Sequence, residues 1–477
     1  MVLSIVKSHN TSMPNKRYTL IVVLNVVLLM SFTIDLDNLF SYATLSIPNY
    51  VDRDNSPLDN QISDSGATLG RVLFYDKALS IDFSISCSSC HRQEFAFGDT
   101  ADVSIGVNGV TGRHSMRLVN ARFSEESNFF WDERATSLEH QTTQPIQDHI
   151  EMGFSGNDGD PGIDSLLLRL ASIDYYERLF ELVYGDDLIT EMRLQQALAQ
   201  FVRSIQSYDS RFDQGLDAVR NMNQDFPNFT ASENAGKTLY LSNDGGAGCQ
   251  RCHRAPEFDI DPDSDNNGVV GVFSDPMAID LNVTRAPSLR DLVNPEGLLN
   301  GALMHDASLQ SLRAVIDHYD DITIINGNTN LYNRLRGGRG GNGANLNLTE
   351  EEKADLEAFL LTLTGSDMYT NEMWSDPFDE FGNLTLIPLM ISNAEYVLSD
   401  DSIELGYDGD DSICVLQYES GSYEVSLYDR DQTAVDHFII DSDTTLQIND
   451  LPTGPCFIEI INQNNELISL VNMVKAE

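Results

Sequence analysis

The stretch Ser86-Cys87-Ser88-Ser89-Cys90-His91 decides how this chain folds, and the rest of the sequence can be interpreted outward from it. In a Cys-x-x-Cys-His segment, two thiols form thioethers with the vinyl groups of a haem and the adjacent imidazole becomes the proximal iron ligand. We therefore predict a covalently attached c-type haem held by Cys87, Cys90 and His91.

The same segment recurs as Cys249-Gln250-Arg251-Cys252-His253. In a chain of 477 residues with 6 Cys and 9 His, two such coincidences are not accidental. A structural zinc site or two redox dithiols would account for the Cys pairs, but neither needs a His after each pair. The sequence thus predicts two haem c groups, the second attached to Cys249 and Cys252 and ligated by His253.

The overall charge limits the partners of the protein. Asp and Glu number 74 against 29 Lys and Arg, which gives a net charge of −45. Nucleic acid and anionic membrane surfaces would be repelled, so we predict no nucleic-acid partner. A positively charged redox protein would be attracted, although solubility explains the charge equally well.

The N-terminus has the pattern of an export signal. Lys7, Lys16 and Arg17 precede an uncharged, mostly apolar run from Tyr18 to Phe32. This run is shorter than the roughly 20 residues that span a bilayer. We predict a signal peptide or, because no clear cleavage site follows, a retained N-terminal anchor within residues 1–35. Export agrees with haem attachment, which takes place outside the cytoplasm.

Helical periodicity predicts a repeated design. A helix within residues 66–76 precedes the first haem segment, and another within 232–241 precedes the second. Further helices are predicted over residues 137–151, 165–183, 189–207 and 349–364, the last with a Thr349–Glu352 capping box. We expect a mostly α-helical protein with two cytochrome c-like domains, at residues 50–215 and 216–370.

The C-terminal residues 383–477 have a different character. Short alternating segments are separated by Asp, Gly, Asn and Pro, which predicts an antiparallel β-sandwich without a catalytic cluster. Cys414 and Cys456 remain after haem attachment. They form a disulfide or stay as two reduced, buried thiols.

A series of short motifs resembles the bacterial dihaem cytochrome c peroxidase/MauG family. The motifs are Leu73-Phe-Tyr-Asp, Phe130-Trp-Asp-Glu-Arg, Gln141, Glu151-Met152, Ala286-Pro-Ser-Leu-Arg and Met304-His-Asp, together with both haem segments. The resemblance extends over about residues 64–366. It implies an oxidoreductase that reacts with hydrogen peroxide at the His91 haem, while the His253 haem stores or supplies an electron.

The resemblance also implies catalytic roles. In the family, a Glu and a Gln stand over the open face of the first haem, and they match Glu151 and Gln141. A carboxylate there can move a proton between the peroxide oxygens, and an amide can orient the ligand. Trp131 matches a Trp that relays electrons between the haems. From the residues alone, Glu151 is a polar residue near a helix end and Trp131 a core aromatic. We expect His149 at the surface and Trp374 beyond the haem domains.

Two positions depart from the family pattern. Members that need reductive activation carry a removable His ligand in a loop where this chain has Val107, so we expect an open, five-coordinate first haem. His114 stands where the family has an Asn that helps to bind calcium between the haems, with Asn300 at another calcium position. Imidazole is a poor calcium ligand, which puts the calcium site in doubt. The loop at residues 259–280 lacks the final Glu of an EF-hand and is expected to be solvated.

The distal ligand of the second haem decides the subclass. In the family it is Met in the peroxidases and Tyr in MauG, and Tyr319 is in the corresponding register. A phenolate donates charge and stabilises the oxidised iron. The alternatives are an ordinary apolar helix face that includes Tyr319, or ligation by His318 or Met304.

Two enzymatic outcomes and one non-enzymatic outcome follow. The protein reduces peroxide with electrons from a small cytochrome or copper protein, or it oxidises a side chain of a partner protein; Tyr319 and Val107 favour the second. The alternative is a non-enzymatic dihaem electron carrier at the cell surface. The C-terminal segment around Leu451-Pro-Thr-Gly-Pro-Cys-Phe resembles type IX secretion sorting domains, which implies a location in the periplasm or at the cell surface. The sequence does not predict the oligomeric state.

Overall fold

A computed structural model describes residues 39–385 apart from residues 126, 158, 244–245, 261–264, 276, 338–342 and 380–381. Beyond residue 385, it describes the backbone of eight strands between residues 396 and 475. The predicted export signal at residues 1–35 lies outside the described residues. The chain divides into two compact units, Met1–Ile387 and Pro388–Glu477.

Helices dominate the first unit, as predicted. In chain order they are α1 Asp64–Tyr75, α2 Cys87–Cys90, α3 Leu138–Thr142, α4 Ile163–Leu170, α5 Asp174–Tyr184, α6 Glu191–Ser204, α7 Arg211–Val219, α8 Ala231–Leu241, α9 Leu312–Asp320 and α10 Glu350–Leu361. Four short strands form two hairpins: β1 Ile105–Gly106 with β2 Gly109–Val110, and β3 His253–Arg254 with β4 Asp259–Ile260. Within the described part of the chain, no helix has both the length and the apolar character needed to cross a bilayer.

Two predicted helices are shorter than expected. The helix predicted over residues 137–151 ends at Thr142, three residues before Pro145, which has no amide hydrogen for the helical ladder. The helix predicted over residues 165–183 is divided into α4 and α5, because the Ser172 hydroxyl donates to the Arg169 carbonyl and competes with the backbone. By contrast, the predicted capping box at Thr349 and Glu352 is confirmed at the start of α10.

A glycine at a helix crossing recurs in each half of this unit. On α1, a Cβ added to Gly70 would lie 2.0 Å from the Ala197 carbonyl oxygen of α6. On α8, a Cβ added to Gly236 would lie 1.9 Å from the Asp355 carbonyl oxygen of α10. In both places only glycine lets the helix backbones approach so closely. The helix that precedes each haem segment is thus docked in the same way.

Two hydrophobic cores accompany these crossings. One is built mainly from residues between 42 and 205, and the other from residues between 212 and 363. Trp374 belongs to the first core, where it is 1% exposed and its indole N–H donates to Ser204 Oγ at 3.2 Å. The expectation that Trp374 lies beyond the haem domains is therefore wrong. The chain returns to the first core after α10, which sequence periodicity does not reveal.

The second unit contains two four-stranded antiparallel sheets. The strands are β5 Tyr396–Val397, β6 Ile403–Tyr407, β7 Ile413–Tyr418, β8 Tyr423–Tyr428, β9 Ala434–Ile440, β10 Thr444–Gln447, β11 Gly454–Asn462 and β12 Leu467–Lys475. The sheet orders are β10-β7-β6-β5 and β12-β11-β8-β9. Cys414 lies on β7 and Cys456 on β11, in different sheets. Their side chains lie outside the described residues, so the disulfide stays a prediction, as does the packing of the sheets into a sandwich.

Candidate haem and peroxide site

The first predicted haem segment opens onto a cavity of about 510 Å³ that is lined by Cys87, Cys90 and His91. Both thiols are free. His91 Nδ1 donates to the Phe97 carbonyl at 3.0 Å, which leaves Nε2 as the ring nitrogen that can bind iron. Burial lowers the pKa of His91 and keeps the imidazole neutral, as a metal ligand must be.

The second segment is arranged in the same way around a cavity of about 240 Å³. Cys249, Cys252 and His253 line it, and both thiols are reduced. The Tyr240 hydroxyl donates to the His253 carbonyl at 2.6 Å and fixes the backbone beside the ligand. Burial lowers the pKa of His253 to about 4, so this imidazole is also neutral. Two thiols, a neutral imidazole and a cavity therefore occur twice, and both sets of residues fit a covalently attached haem.

Glu151 and Gln141 both line the first cavity. Gln141 projects from the short helix α3, whereas Glu151 lies in the turn that replaces the rest of the predicted helix. The Glu151 amide donates to Asp148 Oδ1 at 3.0 Å, which holds the backbone in place. Burial and the nearby Asp148 carboxylate raise the pKa of Glu151 to about 7, although the Arg134 cation opposes them. This group can therefore accept and release protons near neutral pH.

The β1–β2 hairpin lies against the Glu151 segment. The Val107 amide donates to the Glu151 carbonyl at 3.0 Å, and the Asn108 amide donates to the Ile150 carbonyl at 3.1 Å. Gly106 lines the cavity, and a Cβ there would lie 2.1 Å from the Ile150 carbonyl oxygen. Val107 therefore sits at the turn of a hairpin that is bonded to the Glu151 segment, and its side chain has no atom that ligates iron. Near it, His149 is 45% exposed and pairs with Asp160 at 2.7 Å.

One wall is common to both cavities. Trp131, His114 and Arg117 line each of them. The Trp131 indole N–H donates to the His114 carbonyl at 2.7 Å, and its ring packs edge-on against His305. The Trp131 carbonyl accepts from the Thr284 amide at 3.0 Å, which joins this wall to the second half of the chain. Trp131 is thus in contact with the surroundings of both haem segments.

At the expected calcium position, the His114 ring and the Asn300 amide nitrogen are engaged in hydrogen bonds, whereas Asn300 Oδ1 is buried without a hydrogen-bond partner among the described residues. His114 Nδ1 donates to the Ala101 carbonyl at 3.0 Å, and the Asn300 amide donates to the Asp291 carbonyl and the Tyr369 hydroxyl. Among the described residues, no group of three His, Cys, Asp or Glu side chains is arranged to hold a metal ion.

Tyr319 lines the second cavity, and so does Met304. The Asn267 side-chain amide donates to the Tyr319 hydroxyl at 3.2 Å and to Met304 Sδ at 3.3 Å. His318 Nε2 instead donates to the Asn267 carbonyl, and His318 is not part of the cavity wall. Tyr319 and Met304 are therefore the candidate ligands, and His318 lies outside the wall of the second cavity.

Sequence reasoning missed several residues of the site. The loop at residues 259–280 was expected to be solvated, yet Asn266 is fully buried and Asn267 lines the second cavity. Arg117 and Arg285 line both cavities without belonging to any motif that predicts such a role. The chain brings these residues together from distant positions, so no local pattern marks them.

Comparison with known proteins gives the family. The family model described as di-haem cytochrome c peroxidase matches residues 64–221. A methylamine utilization protein MauG from Methylophilus methylotrophus is 30% identical over 318 residues, which cover 65% of this chain and 85% of that protein. The chain belongs to the dihaem cytochrome c peroxidase/MauG family. The cytochrome c551 peroxidase of Nitrosomonas europaea is 27% identical over 63% of this chain and 80% of its own length.

A solved structure agrees with this assignment. A MauG-like protein associated with microbial copper homeostasis superposes with a TM-score of 0.56 at 29% identity, covering 70% of this chain and 99% of its own. The family implies two c-type haems, and each cavity is lined by a Cys-x-x-Cys-His segment that can attach one. The prediction of a dihaem peroxidase of the MauG family, an oxidoreductase acting on peroxide, is thereby confirmed. The alternative of a non-enzymatic electron carrier has no support among these relatives.

Proposed function

We propose that this protein reacts with hydrogen peroxide in the first cavity, with Glu151 as the group that transfers the proton and Gln141 as the amide that orients the peroxide. One observation carries the proposal: a partly buried carboxyl with a pKa of about 7 lines the cavity that also contains Cys87, Cys90 and His91. Such a pKa lets the group act as a base and then as an acid at neutral pH.

The proton transfer follows from the chemistry of the carboxylate. Glu151 accepts the proton of one peroxide oxygen and returns it to the other, so that the departing oxygen leaves as water. A haem held by Cys87, Cys90 and His91 would, when bound, supply the two electrons needed to cleave the bond between the oxygens. Gln141 presents an amide that donates to or accepts from the peroxide and fixes which oxygen faces Glu151. The β1–β2 hairpin is held against the Glu151 segment by the hydrogen bond from the Val107 amide to the Glu151 carbonyl.

The residues that line the second cavity favour a MauG-like reaction, in which the oxidising equivalents from peroxide oxidise a partner protein. Tyr319 is proposed as the distal ligand of the His253 haem, supported by its place in the cavity wall and by the Asn267 amide at its hydroxyl. Trp131 is proposed as the electron relay, because it lines both cavities. We therefore favour oxidation of a partner protein's side chain over electron supply by a small cytochrome or copper protein.

The remaining assignments concern organisation and location. Residues 50–215 are proposed as the peroxidatic domain, residues 216–370 as the electron-transfer domain and residues 383–477 as a sandwich domain for sorting or attachment. The family, the Cys-x-x-Cys-His segments and the N-terminal sequence support export to the periplasm or cell surface.

The proton-transfer role is tested by rapid mixing of the oxidised holoprotein with hydrogen peroxide. Glu151→Gln keeps the size of the side chain but removes its charge, and we expect the rate to fall by about 10²- to 10⁴-fold. Glu181→Gln removes the same charge from an exposed position on α5 and should leave the rate unchanged. Equal rates for the Glu151 variant and the wild type would reject the proposal.

The assignment of Tyr319 is tested separately by low-temperature EPR of the oxidised protein. Tyr319→Phe should change the signal of one haem and leave the other intact, whereas Met304→Leu should leave both unchanged. The opposite result would assign Met304 as the ligand and return the protein to the Met-ligated peroxidases.

A further inference from the structure

Arg117 is a cation in the wall common to both haem cavities. Its Nη2 donates to the Ser288 carbonyl at 3.1 Å, while its Nε is buried and has no hydrogen-bond partner among the described residues. Among the described residues, no carboxylate lies within ion-pair distance of the Arg117 guanidinium.

Other arginines of this region are neutralised. Arg113 pairs with Asp132 at 2.8 Å and with Asp280 at 2.6 Å. Arg290 pairs with Asp213 at 2.8 Å. A buried cation without a counter-ion is costly, because it has lost its hydration and gained nothing in return. Arg117 is partly buried, and the Asp291 carboxyl acts on its charge only from beyond ion-pair distance. A carboxylate that binds in the cavities would supply the direct partner that Arg117 lacks.

The molecules that occupy these cavities carry that counter-charge. Each c-type haem has two propionate carboxylates in addition to the vinyl groups that the thiols consume. Carboxylates are the anions that guanidinium groups bind best, through parallel hydrogen bonds from two nitrogens. The unpartnered Nε of Arg117 and its neighbouring Nη atoms provide such a donor set.

We propose that Arg117 forms an ion pair with a carboxylate of bound haem and that, from the common wall, its charge helps to set the reduction potentials of both haems. A fixed positive charge favours the reduced state of a nearby iron, because reduction lowers the positive charge of that iron. One side chain thus acts on two redox centres. The inference depends on the presence of two haems and not on the roles proposed for Glu151 or Tyr319.

The test is an anaerobic potentiometric titration of the full-length holoprotein, followed by the absorption of the two haems. In Arg117→Met we expect both midpoint potentials to fall, each by at least a tenfold change in the equilibrium constant for reduction, or about 59 mV for one electron. Arg117→Lys keeps the charge and should retain most of the wild-type potentials. Arg313→Met removes a partly exposed cation that pairs with Glu350 at the surface and should change neither potential.

Three results would overturn the inference. Unchanged potentials in Arg117→Met would exclude the ion pair, and a shift confined to one haem would exclude a shared charge. If Arg117→Met fails to retain haem, the number of haems per chain in Arg117→Lys decides. Two haems per chain in Arg117→Lys would support charge pairing. Loss of haem from Arg117→Lys as well would show that the shape of the side chain matters and not its charge.

Discussion

Asp213→Asn is expected to destabilise the haem-bearing unit by about 3–5 kcal/mol at pH 7. Asp213 on α7 is 4% exposed and Arg290 is fully buried, and the two form a pair of hydrogen bonds of 2.8 and 2.9 Å. The substitution leaves the Arg290 cation buried without a counter-ion. Because whole domains are stable by only about 5–15 kcal/mol, this loss is a large share of the total.

The effect should also reach the second cavity. Arg290 ends the segment Ala286-Pro-Ser-Leu-Arg290, and Pro287 and Leu289 of that segment line the cavity wall. Unfolding of the holoprotein in guanidinium chloride measures both the loss of stability and the effect on the second cavity. Far-ultraviolet circular dichroism follows the fold, and the Soret band follows the haem. We expect the Soret change to begin at lower denaturant in the Asn variant than in the wild type.

The pH dependence gives this prediction a sign. Burial would raise the pKa of Asp213, but Arg290 outweighs it and holds the pKa below its ordinary value of 3.8. The stabilisation by the carboxylate is therefore complete above about pH 4 and is lost as the pH falls through the lower folded-state pKa. The difference between wild type and Asp213→Asn should shrink accordingly in acid.

A matched control separates burial from charge. Glu350→Gln removes the partner of Arg313 in a surface pair whose carboxylate is 82% exposed, and it should cost no more than about 1 kcal/mol. Adding Arg290→Met to Asp213→Asn removes the stranded cation and should recover part of the loss. If Asp213→Asn costs no more than Glu350→Gln, the reasoning from a buried, uncompensated charge is wrong.

Three further predictions concern catalysis, packing and metal. The rate of the peroxide reaction should rise with pH through about 7, because only the Glu151 carboxylate accepts a proton, and this inflection should be absent in Glu151→Gln when stopped-flow rates are compared. Gly70→Ala and Gly236→Ala should each lower the free energy of unfolding by about 1–3 kcal/mol through overlap with a backbone carbonyl. Treatment with EGTA should leave the haem spectra unchanged, since His114 Nδ1 is bonded to protein carbonyls.

Local sequence patterns predict the features that are formed by residues close together in the sequence. The Cys-x-x-Cys-His segments need only neighbouring residues to attach haem, and the Thr349–Glu352 capping box closes within one helical turn. The mostly helical fold and most helix positions follow from apolar periodicity. The end of α3 before Pro145 also has a local cause, because proline has no amide hydrogen for the helical ladder.

Other parts depend on contacts between distant segments. The burial of Trp374 arises because the chain returns to the first core after α10. Asn267 belongs to a loop with a polar composition that ordinarily indicates solvent, and only its contacts with Tyr319 and Met304 reveal its place. In the sequence, Arg117 resembles any surface arginine. Its lack of a carboxylate partner is visible only in the folded structure.

Because residues of both halves form the common wall, neither haem site is complete without the other half of the chain. A gene cut between residues 215 and 216 would give each fragment its own Cys-x-x-Cys-His segment, and hence the means to acquire haem. The C-terminal fragment would lack Trp131 and Arg117 from its cavity, and the N-terminal fragment would lack Arg285 and Pro287. Each cavity would then be open to water on a side that protein now closes. Recombination or modular redesign of this protein therefore has to transfer both halves together.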